Sequence, residues 1–268
     1  MAKRLGASPV AVDEAERSFS GWAAAVEKQL SSRTRAVVLS SPSNPTGATL
    51  SPEEGRALFE LCRDRKLRLI CDEAYIEYRW NSEADAGPAA FDPDRRTVVQ
   101  LRSASKTWAV CGWRVGWVVA DAELAGRVAE RHVSLLGPAS AIAQAGLEAF
   151  PSINADYLPK ARAEVLRRLE DCCRVISPFD RRLTVPDGGF YLWIDVHPLL
   201  HDTGHTTAEW CVRLARQTGV GLWPGEDFGR PGWVRLAVTA AEDSRWRESL
   251  DGLERAFDRA ASGPLDPL

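Results

Sequence analysis

Three polar residues stand just beyond apolar runs in this sequence. Asn44 follows the run Arg35 to Ser40, Asp72 directly follows Leu67 to Cys71, and Lys106, with Ser103 and Ser105, follows Thr97 to Leu101. In an open α/β sheet, ligands bind in the crevice beyond the carboxyl ends of the strands. If the three runs are strands, an amide, a carboxylate and an amine are aimed at one crevice, with Arg114 eight residues past Lys106. That pattern makes a ligand site and leaves the ligand open. Taken one at a time, the same residues have plainer readings: a surface lysine after a strand, an aspartate capping a turn, an arginine in a structural ion pair. His197, His201 and His205 recur every four residues, a spacing that could line a helix with metal ligands. Pro198 and Gly204 interrupt that segment, which favours a loop with incidental histidines.

The elements that must position these groups can be read from periodicity. The runs 35–40, 67–71, 97–101 and 116–120 are short, apolar and bounded by turn residues, as buried strands are. Ser51-Pro52-Glu53-Glu54 opens a helix, with a cap serine, a first-turn proline and a reciprocal glutamate. Leu58, Leu61 and Cys62 form its inner face. Strand, helix and strand in succession predict an α/β layered domain with a mostly parallel sheet flanked by helices. The last two strands lie too close together for a crossover helix, which leaves one of them free to run antiparallel. After Pro151 the pattern changes to a helix over 158–176, a strand over 189–194, a helix over 206–218, a strand over 233–238 and a helix near 242–260. The expected organisation is a large α/β domain over 1–155 and a smaller α+β domain over 156–268, ending in a frayed tail from Ser262.

Composition narrows the function classes. The 268 residues carry a net charge of −3, which gives no reason to expect a nucleic acid or an anionic membrane as partner. The first residues lack the apolar run of a secretory signal, and no stretch reaches membrane-spanning length. The six cysteines show no C-x-x-C pairing, and four sit in apolar patterns, as buried free thiols of a reducing cytoplasm do.

Six segments in order sharpen the reading: Ser41-Pro42-Ser43-Asn44-Pro45-Thr46-Gly47, Asp72-Glu73-Ala74-Tyr75, Ser103-Ala104-Ser105-Lys106, Gly112-Trp113-Arg114-Val115-Gly116, Gly188-Gly189-Phe190-Tyr191-Leu192-Trp193 and Trp233-Val234-Arg235-Leu236. Together they resemble the signature segments of the class I/II aminotransferases of fold type I, which depend on pyridoxal 5′-phosphate (PLP). The resemblance covers nearly the whole chain. It implies that Lys106 holds the cofactor covalently and then moves the α-proton of the substrate. It implies that Asp72 keeps the pyridine nitrogen protonated, while Asn44 and Tyr75 hydrogen-bond the phenolic oxygen. Ser103, Ser105 and Arg114 then hold the phosphate, and Arg235, with Asn44, binds the substrate α-carboxylate. The implied reaction moves an amino group between an amino acid and a 2-oxo acid. The alternatives the resemblance leaves are a lyase or cyclase built on the same lysine and aspartate, or a non-catalytic homologue or subunit that needs a partner chain.

Family members begin upstream of the point that matches Met1. The part without a counterpart supplies the first strands of the large domain, a phosphate-binding helix N-terminus and a ring that stacks on the cofactor. Within residues 1–34, Trp22 is the only candidate for that ring, though its helical surroundings favour surface packing. The expectation is weakened PLP binding, or association with a chain that supplies the segment, alongside the family's habitual twofold dimer. Trp108, Trp113 and Trp223 are placed either to shape an apolar pocket or to pack a core.

Overall fold

The computed structural model describes residues 6–12, 14–80, 87–201, 203–239 and 243–266. They fall into two compact units. The first comprises the described residues of 1–41, 50–74 and 81–147, and the second those of 42–49, 75–80 and 148–268. The units therefore interleave along the chain, and the boundary expected at 155 falls within a single long helix of the second.

In the first unit, α1 (Glu14–Gln29) and α2 (Pro52–Asp64) precede and follow β1 (Ala36–Ser40). β2 (Arg68–Asp72), β3 (Val98–Ser103) and β4 (Gly116–Val119) complete a four-stranded sheet in the order β1-β2-β3-β4. The first three strands are parallel and β4 is antiparallel to β3. The reversal follows from the connection. Between β3 and β4 lie only the four-residue α3 (Ala104–Thr107) and a 3-10 turn at Cys111–Trp113, too little for the crossover that a parallel pair requires. α2 starts as its sequence demands: Ser51 accepts from Glu54 N, Glu54 accepts from Ser51 N, and Pro52 fills the first turn. Its buried Leu58, Phe59 and Cys62 join Val26, Leu69, Cys71 and Val98 in one core. Trp22 is partly buried against this core rather than packed on the surface as its helical setting suggested.

α4 (Ala122–Leu136) and α5 (Ala141–Glu148) close the first unit and bury little. Leu135 and Leu136 are each 78% exposed, Ile142 on α5 is 87% exposed, and Val38 in the middle of β1 is 69% exposed. A parallel strand is ordinarily covered on both faces, and β1 is covered here on the face that Val37 and Leu39 present to the core.

The second unit has a three-stranded antiparallel sheet in the order β5-β7-β6, made of β5 (Tyr191–Asp195), β6 (Trp223–Pro224) and β7 (Trp233–Ala237). Its helices are α6 (Phe150–Ile176), α7 (Thr207–Thr218) and α8 (Trp246–Ala261). α6 begins eight residues before the expected start because it runs through Pro159, at a position where the missing amide costs one intrahelical bond. α8 begins later than expected, after a 3-10 turn over 243–245, and residues 240–242 lie outside the described residues.

The tail from Ser262 is not frayed over its described part. Leu265 is buried, and its neighbours' carbonyls accept from arginines: Gly263 and Pro264 from Arg259, Asp266 from Arg213. The histidine segment is a 3-10 turn over His197–Leu199 followed by a loop, so the three histidines do not line one helix. His197 bonds Asp195 at 2.9 Å, His201 bonds the carbonyl of Ala260 at 2.6 Å, and His205 lies 4.0 Å from Glu209. No helix among the described residues is long and apolar enough to cross a membrane.

Candidate active site

Parallel pairing brings the first polar cluster together. β2 ends on Asp72, opposite Leu101, and the neighbouring β3 runs two residues further to Ser103, where the antiparallel β4 starts with Gly116 opposite Ser103, two residues after Arg114. Ser103 caps α3, its hydroxyl accepting from Ser105 N at 3.3 Å, so Lys106 sits in the single turn that follows. The Ala104 amide donates to Val115 O at 3.1 Å and closes the Lys106–Arg114 interval into a loop. Gly116 is needed where β4 begins, because a Cβ there would lie 2.6 Å from Arg102 O. Arg114 takes a left-handed conformation (φ 54°) and donates to Cys111 O at 3.0 Å. The Lys106 amine lies 4.0 Å from Cys111 Sγ, and that thiol is directed at Ser105 O. Asp72 spends one oxygen on the Ala74 amide at 3.0 Å. Among the described residues, Asp72, Lys106 and Arg114 form no ion pair with one another or with other side chains.

The acid next in sequence behaves differently. Glu73 is 4% exposed, pairs with Arg102 at 2.6 Å and accepts from Gln100 at 2.8 Å. Sequence reasoning assigned it no role, and its role is structural: a buried carboxylate neutralised within the sheet.

The second cluster lies wholly in the second unit. The turn of residues 42–49 carries Asn44 and is closed by Ser43 N to Ala48 O and Gly47 N to Ser43 O, both 2.8 Å. Two glycines let it pack on the segment before β5. A Cβ on Gly47 (φ 71°) would meet Pro186 at 2.4 Å, and one on Gly188 would meet Pro42 at 2.7 Å and Tyr78 O at 2.8 Å. Asn44 Oδ1 accepts from Arg235 Nη1 at 2.8 Å.

Arg235 stands mid-strand on β7, opposite Trp193 on β5 and Trp223 on β6. With period two along a strand, Tyr191 shares that face with Trp193. The guanidinium lies 4.3 Å from the Tyr191 ring centre, 5.2 Å from Phe228 and 5.6 Å from Trp223. Its Nε is buried without a hydrogen-bond partner, and no carboxylate among the described residues pairs with it. Tyr75 is buried, edge-on to Phe190 and Tyr191, with its hydroxyl 3.0 Å from that of Tyr191.

Every site residue expected from the sequence therefore falls into one of two clusters: Asp72, Ser103, Ser105, Lys106 and Arg114 in one unit, Asn44, Tyr75 and Arg235 in the other. Tyr191 and Phe228 were not singled out, although Tyr191 lies inside a recognised segment. Of the three tryptophans weighed, Trp108 packs on Ala104, Val115 and Ala143, and Trp113 seats against Gly146, where a Cβ would meet its ring at 2.6 Å. Trp223 flanks Arg235 and stays half exposed, its indole N–H held by Asp227 at 2.7 Å.

The family description "Aminotransferase class I and II" matches residues 2–252. The chain belongs to that family. Among curated members, a probable N-acetyl-LL-diaminopimelate aminotransferase of Bacillus subtilis is 32% identical over 252 residues, covering 93% of this chain and 62% of its own length. The arginine–pyruvate transaminase AruH of Pseudomonas aeruginosa is 36% identical over 246 residues, covering 88% of this chain and 60% of its own. The solved aspartate aminotransferase of Thermus thermophilus with maleate superposes with a TM-score of 0.83 at 27% identity, over 95% of this chain and 65% of that one. This aminotransferase-family chain thus spans less than two thirds of the length of these curated relatives.

Proposed function

We propose that this chain acts in PLP-dependent transfer of an amino group from an amino acid to a 2-oxo acid. The observation that carries the reading is charge left uncompensated in both clusters. A carboxylate, an amine and a guanidinium stand at one sheet edge with no ion pair, and a second guanidinium, on Arg235, has an orphaned buried donor. That donor set fits PLP and an α-carboxylate: an amine for the aldehyde, a carboxylate for the ring nitrogen, hydroxyls and a guanidinium for the phosphate.

Bound there, PLP supplies the electron sink that lets a bond at the substrate α-carbon break. The amine of Lys106 anchors the cofactor and, once displaced, takes and returns the proton at the α-carbon. Asp72, with one oxygen on Ala74 N, offers the other to the ring N–H and holds that proton in place. Asn44 gives its oxygen to Arg235 and so presents its amide hydrogens, alongside the Tyr75 hydroxyl, to the phenolic oxygen. Ser103, Ser105 and Arg114 donate to the phosphate, and Arg235 donates to the substrate carboxylate and fixes its orientation. The test is nitrogen transfer. Incubated with PLP, a ¹⁵N-labelled amino acid and a 2-oxo acid, the chain is expected to deliver the label to the second acid. Label recovered as free ammonia would replace this reading with elimination chemistry.

A second inference concerns assembly. The exposed Val38, Leu135, Leu136 and Ile142 support a protein partner on the first unit, a second copy or a chain supplying further strands. Sedimentation at rising concentration, alone and with the part of the relatives that this chain does not span added in trans, is expected to give a species larger than one chain. A monomer throughout would contradict it.

A further inference from the structure

The loop that joins Lys106 to Arg114 is tied to both of them at one residue. The Cys111 carbonyl accepts from Arg114 Nη1 at 3.0 Å. The Cys111 sulfur lies 4.0 Å from the Lys106 amine and directs its proton at Ser105 O, 3.3 Å away. We infer that Cys111 is a positioning residue whose thiol orients the Lys106 amine while that amine is not bonded to the cofactor; the inference rests on the function proposed above.

The loop closes without the thiol. Ala104 N donates to Val115 O, Trp108 N to Ala104 O and Trp113 N to Val110 O, at 3.1, 3.1 and 2.9 Å, and none of these bonds uses the Cys111 side chain. Ala109 (φ 56°) and Arg114 (φ 54°) take left-handed conformations that are costly for a residue with a side chain. Non-glycine residues held in that region cluster where a site fixes the backbone geometry. A thiol has one proton. With that proton given to Ser105 O, the sulfur stays neutral and turns its lone pairs toward the amine. Among the described residues Lys106 has no other side-chain partner, so the sulfur alone limits the freedom of its long flexible stem. Sulfur is a weak acceptor and 4.0 Å is a long contact, so the amine is oriented without being locked. A carboxylate in the same place would favour the protonated amine and withhold its lone pair from an aldehyde.

The test uses the full chain and two ligands: PLP, whose aldehyde Lys106 captures, and pyridoxine 5′-phosphate, which has no aldehyde. Capture is timed by borohydride trapping, with mass spectrometry locating the cofactor at residue 106. In Cys111→Ala, capture is expected to slow about two- to fivefold, the range for one weak hydrogen bond. Affinity for pyridoxine 5′-phosphate should not change, because the backbone carbonyl that holds Arg114 remains. Cys111→Ser keeps a proton for Ser105 O and lone pairs for the amine, and should recover most of the lost rate. Cys111→Asp should capture more slowly than Cys111→Ala, since its carboxylate pairs with the protonated amine. Capture at the wild-type rate in Cys111→Ala, a matching loss of pyridoxine 5′-phosphate affinity, no recovery in Cys111→Ser, or a Cys111→Asp variant as fast as Cys111→Ala would each overturn the inference alone. A wild-type chain that fixes no cofactor at residue 106 would overturn the reading beneath it.

Discussion

The two clusters keep their charges unpaired in different ways. At the carboxyl ends of the first unit's strands, Asp72 closes β2, Lys106 sits in the turn of α3 and Arg114 in the loop before β4, and their partners are backbone groups and a thiol. In the second unit, Arg235 is mid-strand and walled by Tyr191, Trp223 and Phe228, with one amide oxygen as its partner. Strand-end and loop positions leave the first set half-exposed or exposed and adjustable, as groups that must change partners during a reaction need to be. A cage of rings holds a cation in one orientation without cancelling its charge, which suits a group that only binds. The acids adjacent at the end of β2 make the same contrast at close range: Glu73 is neutralised and buried, while Asp72 accepts from one backbone amide and pairs with no cation among the described residues.

Substitutions can break that contrast, and the largest effect is expected where the reacting amine is removed. Lys106→Ala should lower transamination by at least about a thousandfold with little change in unfolding free energy, since the amine stabilises no internal ion pair. Next, Arg235→Ala should raise KM for the amino acid roughly 10- to 100-fold, the range for losing charge-assisted bonds, with a smaller effect on kcat. If kcat falls as far as KM rises, Arg235 does more than bind. The pair at the end of β2 should separate cleanly: Asp72→Asn costs activity and not stability, whereas Glu73→Gln costs about 3 kcal/mol of stability by stranding Arg102. Urea melts of both variants decide this, and equal melts would erase the distinction between the two acids.

The turn-borne cluster was legible because its residues follow strands at short, fixed offsets, and a chain-order motif survives in a linear sequence. The capping box at Ser51 and the antiparallel return of β4 were legible for the same reason: both follow from local spacing. The cage was not. Trp193, Arg235 and Trp223 meet through the register of three strands, with β5 separated from the other two by the whole of α7, and Tyr191 touches Tyr75 across more than a hundred residues. No periodicity encodes register between strands joined by long connections. The tail failed for a related reason. Its prolines and glycine suggest fraying, but the arginines that hold it lie on α7 and α8.

Two smaller effects test the background against which the clusters stand. Burial pushes the thiols of Cys62 and Cys173 up to about 11 and those of Cys172 and Cys211 up to about 12, and it raises Cys71 as well, whereas Cys111, beside Lys106, is exposed. A thiol reagent should therefore find one fast-reacting cysteine in the native chain, lost in Cys111→Ser and slowed by bound PLP. Two or more fast thiols would contradict the burial pattern. On α6, the Arg167 hydrogen bond, opposed by partial burial and joined by Arg168, holds the Glu164 carboxyl down at about 2. A depressed carboxylate contributes stability that is present above its unfolded value and lost as the pH falls toward 2. Glu164→Gln should flatten the acid limb of the stability curve over that window, and an unchanged limb would remove Glu164 from the account.

The most direct measurement is the visible spectrum of the purified chain on adding PLP, recorded beside Lys106→Ala. The account predicts a band from lysine-bound cofactor in the wild type, stable to dialysis, removed by borohydride reduction with label fixed at residue 106, and missing in the variant. A wild-type spectrum that matches the variant, with label elsewhere or nowhere, would contradict the assignment of Lys106 and Asp72 to a cofactor.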